Sequence, residues 1–171
     1  MEIIDGYLSD SIRRAARLLQ EGRVVAFPTE TVYGLGADGT NPMAVARVFE
    51  LKKRPHFDPL ILHIGRKDWV NRFARNVPEV AVMLMDRFWP GPLTLILEKE
   101  NTVPDIVTAG LPTVAVRMPS HKVALGLIEE VGRPVAAPSA NPFGYISPTS
   151  AEHVADRLPC RLLHPSVFTD R

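Results

Sequence analysis

The chain has 171 residues, 46% of them hydrophobic and 23% charged, which is the balance of a single folded globular domain and excludes a disordered chain. Twenty Lys and Arg against nineteen Asp and Glu leave a net charge of +1, so bulk charge draws in no nucleic acid and any such surface has to be a local patch. No apolar run approaches the about 18 residues that a membrane span needs, and Met1 to Asp5 is neither basic nor apolar enough for a secretion signal; the expectation is a cytoplasmic protein with no membrane partner.

Cys160 is the single cysteine, which excludes an internal disulfide and gives no support to zinc or thiol-redox chemistry. Most of the sixteen prolines fall between apolar runs, where they punctuate elements rather than break them. Ser11 to Gln20 places Ile12, Ala15, Ala16 and Leu19 on one face, an amphipathic helix stopped by Gly22. Arg23 to Phe27, between Gly22 and Pro28, reads as a short buried strand, and Pro28 to Gly36 as the loop beyond it. Asn41 caps a second helix with Pro42 in its first turn, ending before Pro55 and carrying Lys52, Lys53 and Arg54 at its C-terminal end.

Leu60 to Ile64 reads as a strand, Glu79 to Phe88 as a helix closed by Pro90-Gly91-Pro92, and Leu93 to Leu97 and Thr113 to Met118 as strands. Val123 to Val131 is a helix stopped by Gly132, and Pro134 to Pro138 an apolar strand. Thr149 with Glu152 forms a capping box that starts a last helix. Strands and helices alternate, so the fold expected is α/β, with helices packed on a mixed, twisted sheet in one domain.

Pro28-Thr29-Glu30-Thr31-Val32-Tyr33-Gly34-Leu35-Gly36 leaves a strand with hydroxyls, a phenol and glycines, groups suited to orienting a ligand held close to backbone or, equally, to a tight turn. Neither GxxxxGK[ST] nor GxGxxG occurs, so a nucleotide site here is of another design. Lys52 and Arg54 are either a solvated basic helix end or a phosphate clamp. Arg117 stands in an otherwise apolar strand, where an arginine needs an anion partner. His63 ends a strand, a common address for ligand contacts in α/β folds, though a core histidine fits the same pattern. Ser139, His63 and Asp58 lack the GxSxG elbow of a hydrolase triad, and His56, Asp58 and His63 follow no metal-ligand pattern.

Taken in order, PTETVYGLG, Lys-x-Arg-Pro at 52 to 55, PLILHI, WPGPLTLIL at 89 to 97, TVAVRMP and PSANPFGYISPT resemble the Sua5/YrdC/YciO family from about residue 11 to 158. The resemblance implies an open twisted sheet with a basic concave cleft. It further implies synthesis of L-threonylcarbamoyl-AMP and pyrophosphate from L-threonine, bicarbonate and ATP with Mg²⁺. A threonylcarbamoyl transferase complex would then place the group on adenosine 37 of tRNA.

By position, the resemblance puts Lys52, Arg54, Thr113, Ser139 and Asn141 on ATP and Thr31, His63 and Arg117 on threonine, with Arg117 pairing its carboxylate. No residue is required to act as a catalytic acid or base. The chain corresponds to the single-domain type, residues 1–171, and its tail, 159–171, departs from the family's Ser-Thr and Arg elements. A nucleotide- or double-stranded-RNA-binding protein without synthase turnover is the alternative.

Overall fold

A computed structural model describes residues 3–5, 9–55, 58–159 and 161–164, with side chains for 9–55 and 58–159. His56, Cys160 and the tail beyond His164 lie outside the described residues. Among the described residues nine strands form one mixed sheet: β1 Ile3–Asp5, β2 Val25–Phe27, β3 Gly34–Asp38, β4 Ile61–His63, β5 Ala74–Arg75, β6 Thr94–Lys99, β7 Thr113–Arg117, β8 Val135–Ala136 and β9 Arg161–His164. Their spatial order is β1-β9-β2-β3-β8-β4-β7-β6-β5. β9 runs parallel to both its neighbours, β4 runs parallel to β7, and the other pairs are antiparallel. The helices are α1 Ser9–Gln20, α2 Pro42–Lys52, α3 Glu79–Phe88, α4 Asp105–Thr108, α5 Lys122–Val131 and α6 Ala151–Ala155.

The two faces of the sheet are buried differently, and that difference creates the site. Successive strand residues point to opposite faces. Ala26, Leu35, Ala37, Leu62, Val114, Val116 and Ala136 lie in the larger core with Ala44, Val45, Val48 and Phe49 of α2. On the other face Val25, Phe27, Val135 and Ala137 pack under α1 and α5, through Ala15, Ala16, Leu19, Val123, Ala124, Leu127 and Ile128. Register carries this second face across to Ile61 and His63 of β4, Ala115 and Arg117 of β7, and Thr94 and Ile96 of β6. There the helical cover ends: Ile96 is 72% exposed.

The helix boundaries follow local chemistry. Asn41 Oδ1 accepts from the N–H groups of Met43 and Ala44 at 3.1 and 3.2 Å, with Pro42 in the first turn, as the sequence indicates. Gly132 ends α5 at φ 69°, a conformation that a side chain would strain. The expected cap at Thr149 is displaced by one residue: Ser150 accepts from His153 N–H, because the helix itself begins at Ala151.

A second correction concerns the loop read from Pro28 to Gly36, whose end is the start of β3. Gly34-Leu35-Gly36-Ala37-Asp38 has little intrinsic strand preference and is a strand because β2 and β8 flank it. A Cβ on Gly36 would stand 2.7 Å from both Phe27 Cε1 and Val135 Cγ1, so this glycine makes room for a core ring rather than for a ligand.

Candidate active site

The cleft lies on the second face where α1 and α5 stop covering the sheet. Thr29, Thr31, Val32, Gly34, Ile61, His63, Arg117, Ala137, Pro138 and Ser139 enclose about 330 Å³ of free space, counting its open mouth. Four segments distant in sequence thus converge: the loop after β2, β4, the end of β7 and the loop after β8.

The loop after β2 is organised by Thr29. Its hydroxyl donates to the Val32 carbonyl at 2.6 Å and accepts from the N–H groups of Thr31 and Val32 at 3.2 Å each. The Thr31 hydroxyl lies 3.0 Å from that of Thr29. Thr31 in turn accepts from Arg117 Nη2 at 3.3 Å, and the same nitrogen donates to Glu30 Oε1 at 2.7 Å. The anion partner that Arg117 requires is therefore Glu30. Nε of Arg117, Oε2 of Glu30 and Nδ1 of His63 are buried with no hydrogen-bond partner, which marks this corner as chemically incomplete.

His63 lies beside Arg117 in register and meets the Phe27 ring edge-on, with centroids 6.2 Å apart. Burial pushes its pKa down to about 4, and the neighbouring Arg117 charge acts in the same direction, so the imidazole is neutral at pH 7. Asp58 instead pairs with Arg54 at 2.8 Å, and His63 Nδ1 has no partner, so Ser139, His63 and Asp58 do not assemble as a triad.

The loop after β8 is fastened from several sides. Ala140 N–H donates to the Tyr33 carbonyl at 2.7 Å, Leu35 N–H to Pro138 at 2.8 Å and Phe143 N–H to Lys52 at 2.9 Å. Lys52, 1% exposed, turns inward and donates to the carbonyls of Ser139 and Asn141. Desolvation first, and Arg54 second, bring its pKa down to about 8. Asn141 Nδ2 donates to Pro142 at 2.9 Å and to Tyr145 at 2.8 Å, so its amide also braces the loop. Ser139 faces the cleft.

Of the eight residues singled out in the sequence, Thr31, His63, Arg117 and Ser139 line the cleft together. Lys52 and Asn141 stand behind Ser139 as supports. Arg54 is at the end of α2, bonded to Asp58 and 6.0 Å from the Phe143 ring centroid. Thr113 shares the open face of β7 with Arg117 but sits at its other end, roughly 13 Å away at about 3.3 Å per strand residue. Both arginines are countered by carboxylates, which tempers the basic character expected of the cleft.

Sequence reasoning alone misses Glu30 and Thr29. A signal for Glu30 is nonetheless there: an acid between two hydroxyl residues, in a chain where Arg117, inside an apolar strand, needs a counter-charge.

An α/β domain with a half-covered sheet and a cleft holding Thr31, His63, Arg117 and Ser139 over the bare half has the shape of a small-molecule site. The Sua5/YciO/YrdC family profile, described as telomere recombination, matches residues 17–164. The chain is 58% identical over 145 residues to a threonylcarbamoyl-AMP synthase of Pyrococcus abyssi, covering 85% of this chain and 43% of that protein. It is 55% identical over 152 residues to the Bacillus subtilis threonylcarbamoyl-AMP synthase, covering 88% and 44%. The crystal structure of P. abyssi Sua5 complexed with L-threonine superposes with a TM-score of 0.93 at 51% identity, over 96% of this chain and 50% of that one. The chain belongs to the Sua5/YciO/YrdC family, and it spans less than half the length of those two relatives.

Proposed function

We propose that the chain activates L-threonine as threonylcarbamoyl-AMP, consuming bicarbonate and ATP and releasing pyrophosphate. The observation that carries this is the Thr31, His63 and Arg117 corner with its unpartnered buried atoms, in a domain so similar to one described in complex with L-threonine.

In this reading the carboxylate of threonine docks on Arg117 and the rest of the molecule lies against Thr31 and the neutral His63. The amine takes up bicarbonate carbon with loss of water to give a carbamate. A carbamate oxygen then attacks the α-phosphorus of ATP; the new P–O bond forms as the bond to the bridging oxygen breaks, and its electron pair leaves with pyrophosphate. No side chain has to shuttle a proton in that displacement, so positioning and charge neutralisation carry the rate.

ATP extends from Ser139 along the open face of β7 toward Thr113, with Arg54 meeting its phosphates. Lys52 either leaves its two carbonyls for a phosphate or serves ATP indirectly by holding the Ser139–Asn141 loop. Mg²⁺ carried in on ATP would supply neutralising charge to the departing pyrophosphate. Among the described residues no group of three or more His, Cys, Asp or Glu could hold a metal, and an ion carried on phosphates needs none.

Among the described residues no helix is long and apolar enough to cross a membrane. A cytoplasmic enzyme handing its product to a threonylcarbamoyl transferase complex acting on tRNA completes the reading. The test is pyrophosphate release by the purified chain with ATP, Mg²⁺ and bicarbonate, with and without L-threonine. Threonine-dependent release supports synthesis; ATP binding without release supports a binding domain that does not turn over.

A further inference from the structure

We propose that Glu30 is a positioning residue, which fixes the Arg117 guanidinium so that its remaining N–H groups are presented to the carboxylate of a bound amino acid. The inference rests on the threonine-binding reading above and adds a residue to it. Arg117 is 8% exposed and is held by one nitrogen: Nη2 donates to Glu30 Oε1 at 2.7 Å and to Thr31 Oγ1 at 3.3 Å. A guanidinium Nη carries two N–H bonds, so both are taken and rotation of the planar group is blocked. Nε stays buried and without an acceptor, a donor left for an incoming anion.

The clamp is built by a single turn of the chain. Glu30 and Thr31 come from the same turn, whose shape is set by the Thr29 hydroxyl bonding to Val32. Burial raises the Glu30 pKa, but the Arg117 hydrogen bond, its own backbone N–H, the Arg117 charge and the Ser120 backbone outweigh it, leaving the carboxyl below its usual value and ionised at pH 7. Thr29, Glu30 and Thr31 thus act on Arg117 as one unit, and sequence neighbours supply both the counter-ion and the second acceptor.

Two other roles make opposite predictions. A counter-ion that merely competes with the ligand would give tighter binding when its charge is removed. A salt bridge that only stabilises the fold would leave carboxylate recognition unchanged. Isothermal titration of the 171-residue chain with L-threonine, and with L-threoninamide as the probe lacking the carboxylate, separates them.

The expected result is at least a tenfold loss of L-threonine affinity in Glu30→Ala. Glu30→Gln, whose amide oxygen still accepts from Nη2, should restore most of it. L-threoninamide should bind weakly and within twofold in all three proteins. Equal or tighter L-threonine binding by Glu30→Ala overturns the proposal, as does a loss shared equally by L-threoninamide. If the unaltered chain binds no L-threonine, or Arg117→Ala binds it as well as the unaltered chain, the threonine reading itself falls and this inference with it.

Discussion

His63 supplies a quantitative test of how the cleft is built. Its pKa falls from 6.5 to about 4 on folding, through burial and then the Arg117 charge, while the unfolded chain keeps the ordinary value. Below pH 6.5 the unfolded state therefore takes up a proton that the folded state refuses, and stability is lost as pH falls from about 6.5 to about 4. Above that window His63 contributes no pH dependence. A tenfold change in proton affinity corresponds to about 1.4 kcal/mol, so this one group accounts for about 3 kcal/mol across the window. Glu30 and His121 titrate nearby, so the assay is a difference. Urea unfolding of the unaltered chain and of His63→Gln is followed at pH 7, 6 and 5. The gap between the two should shift in favour of the variant by about 0.7 kcal/mol from pH 7 to 6 and by about 1.2 kcal/mol from pH 6 to 5. A gap that stays constant from pH 7 to 5 would refute the reasoning and show that His63 is solvated.

Gly36→Ala forces a methyl to within 2.7 Å of the Phe27 ring and Val135, and should lower stability by about 1–3 kcal/mol, read as a fall in Tm. Ser150→Ala should cost about 1 kcal/mol while Thr149→Ala costs much less, because Ser150 is the residue that bonds His153 N–H; chemical denaturation of both variants decides which is the cap. Burial and Arg54 lower the Lys52 pKa from 10.5 to about 8, so its charged form is penalised in the folded state at neutral pH and the penalty lifts as pH rises from about 8 toward 10.5. The unaltered chain should therefore gain stability relative to Lys52→Met between pH 7.5 and 9.5; no relative gain would mean that the ammonium is not desolvated.

Much of the secondary structure was legible because it is locally encoded. The Asn41-Pro42 helix start, the Glu79–Phe88 helix and the Gly132 stop are each written in the identity of one or two residues whose backbone preferences or side-chain oxygens act within a few positions. The apolar runs around Leu62, Val116 and Val135 announce strands for the same reason. β3 did not, since Gly34 to Asp38 is a strand only by virtue of its neighbours. β5 and α4, of two and four residues, are too short for periodicity to reveal. The strand β9 at Arg161–His164 lies in what reads as a divergent tail, and its place between β1 and β2 is a long-range pairing.

Composition, spacing and near-neighbour chemistry are enough to establish the α/β class, most element positions, and a set of polar residues in the segments that end at strand edges. Which of those residues share a cleft depends on the folded chain. It set Thr31, His63, Arg117 and Ser139 together, turned Lys52 and Asn141 inward as supports, and gave Arg117 its counter-ion from 87 positions away. Side-chain partnership depends on sheet order and register. A strand's pattern shows which residues share a face, but where helices stop covering that face is settled by the packing of the whole chain.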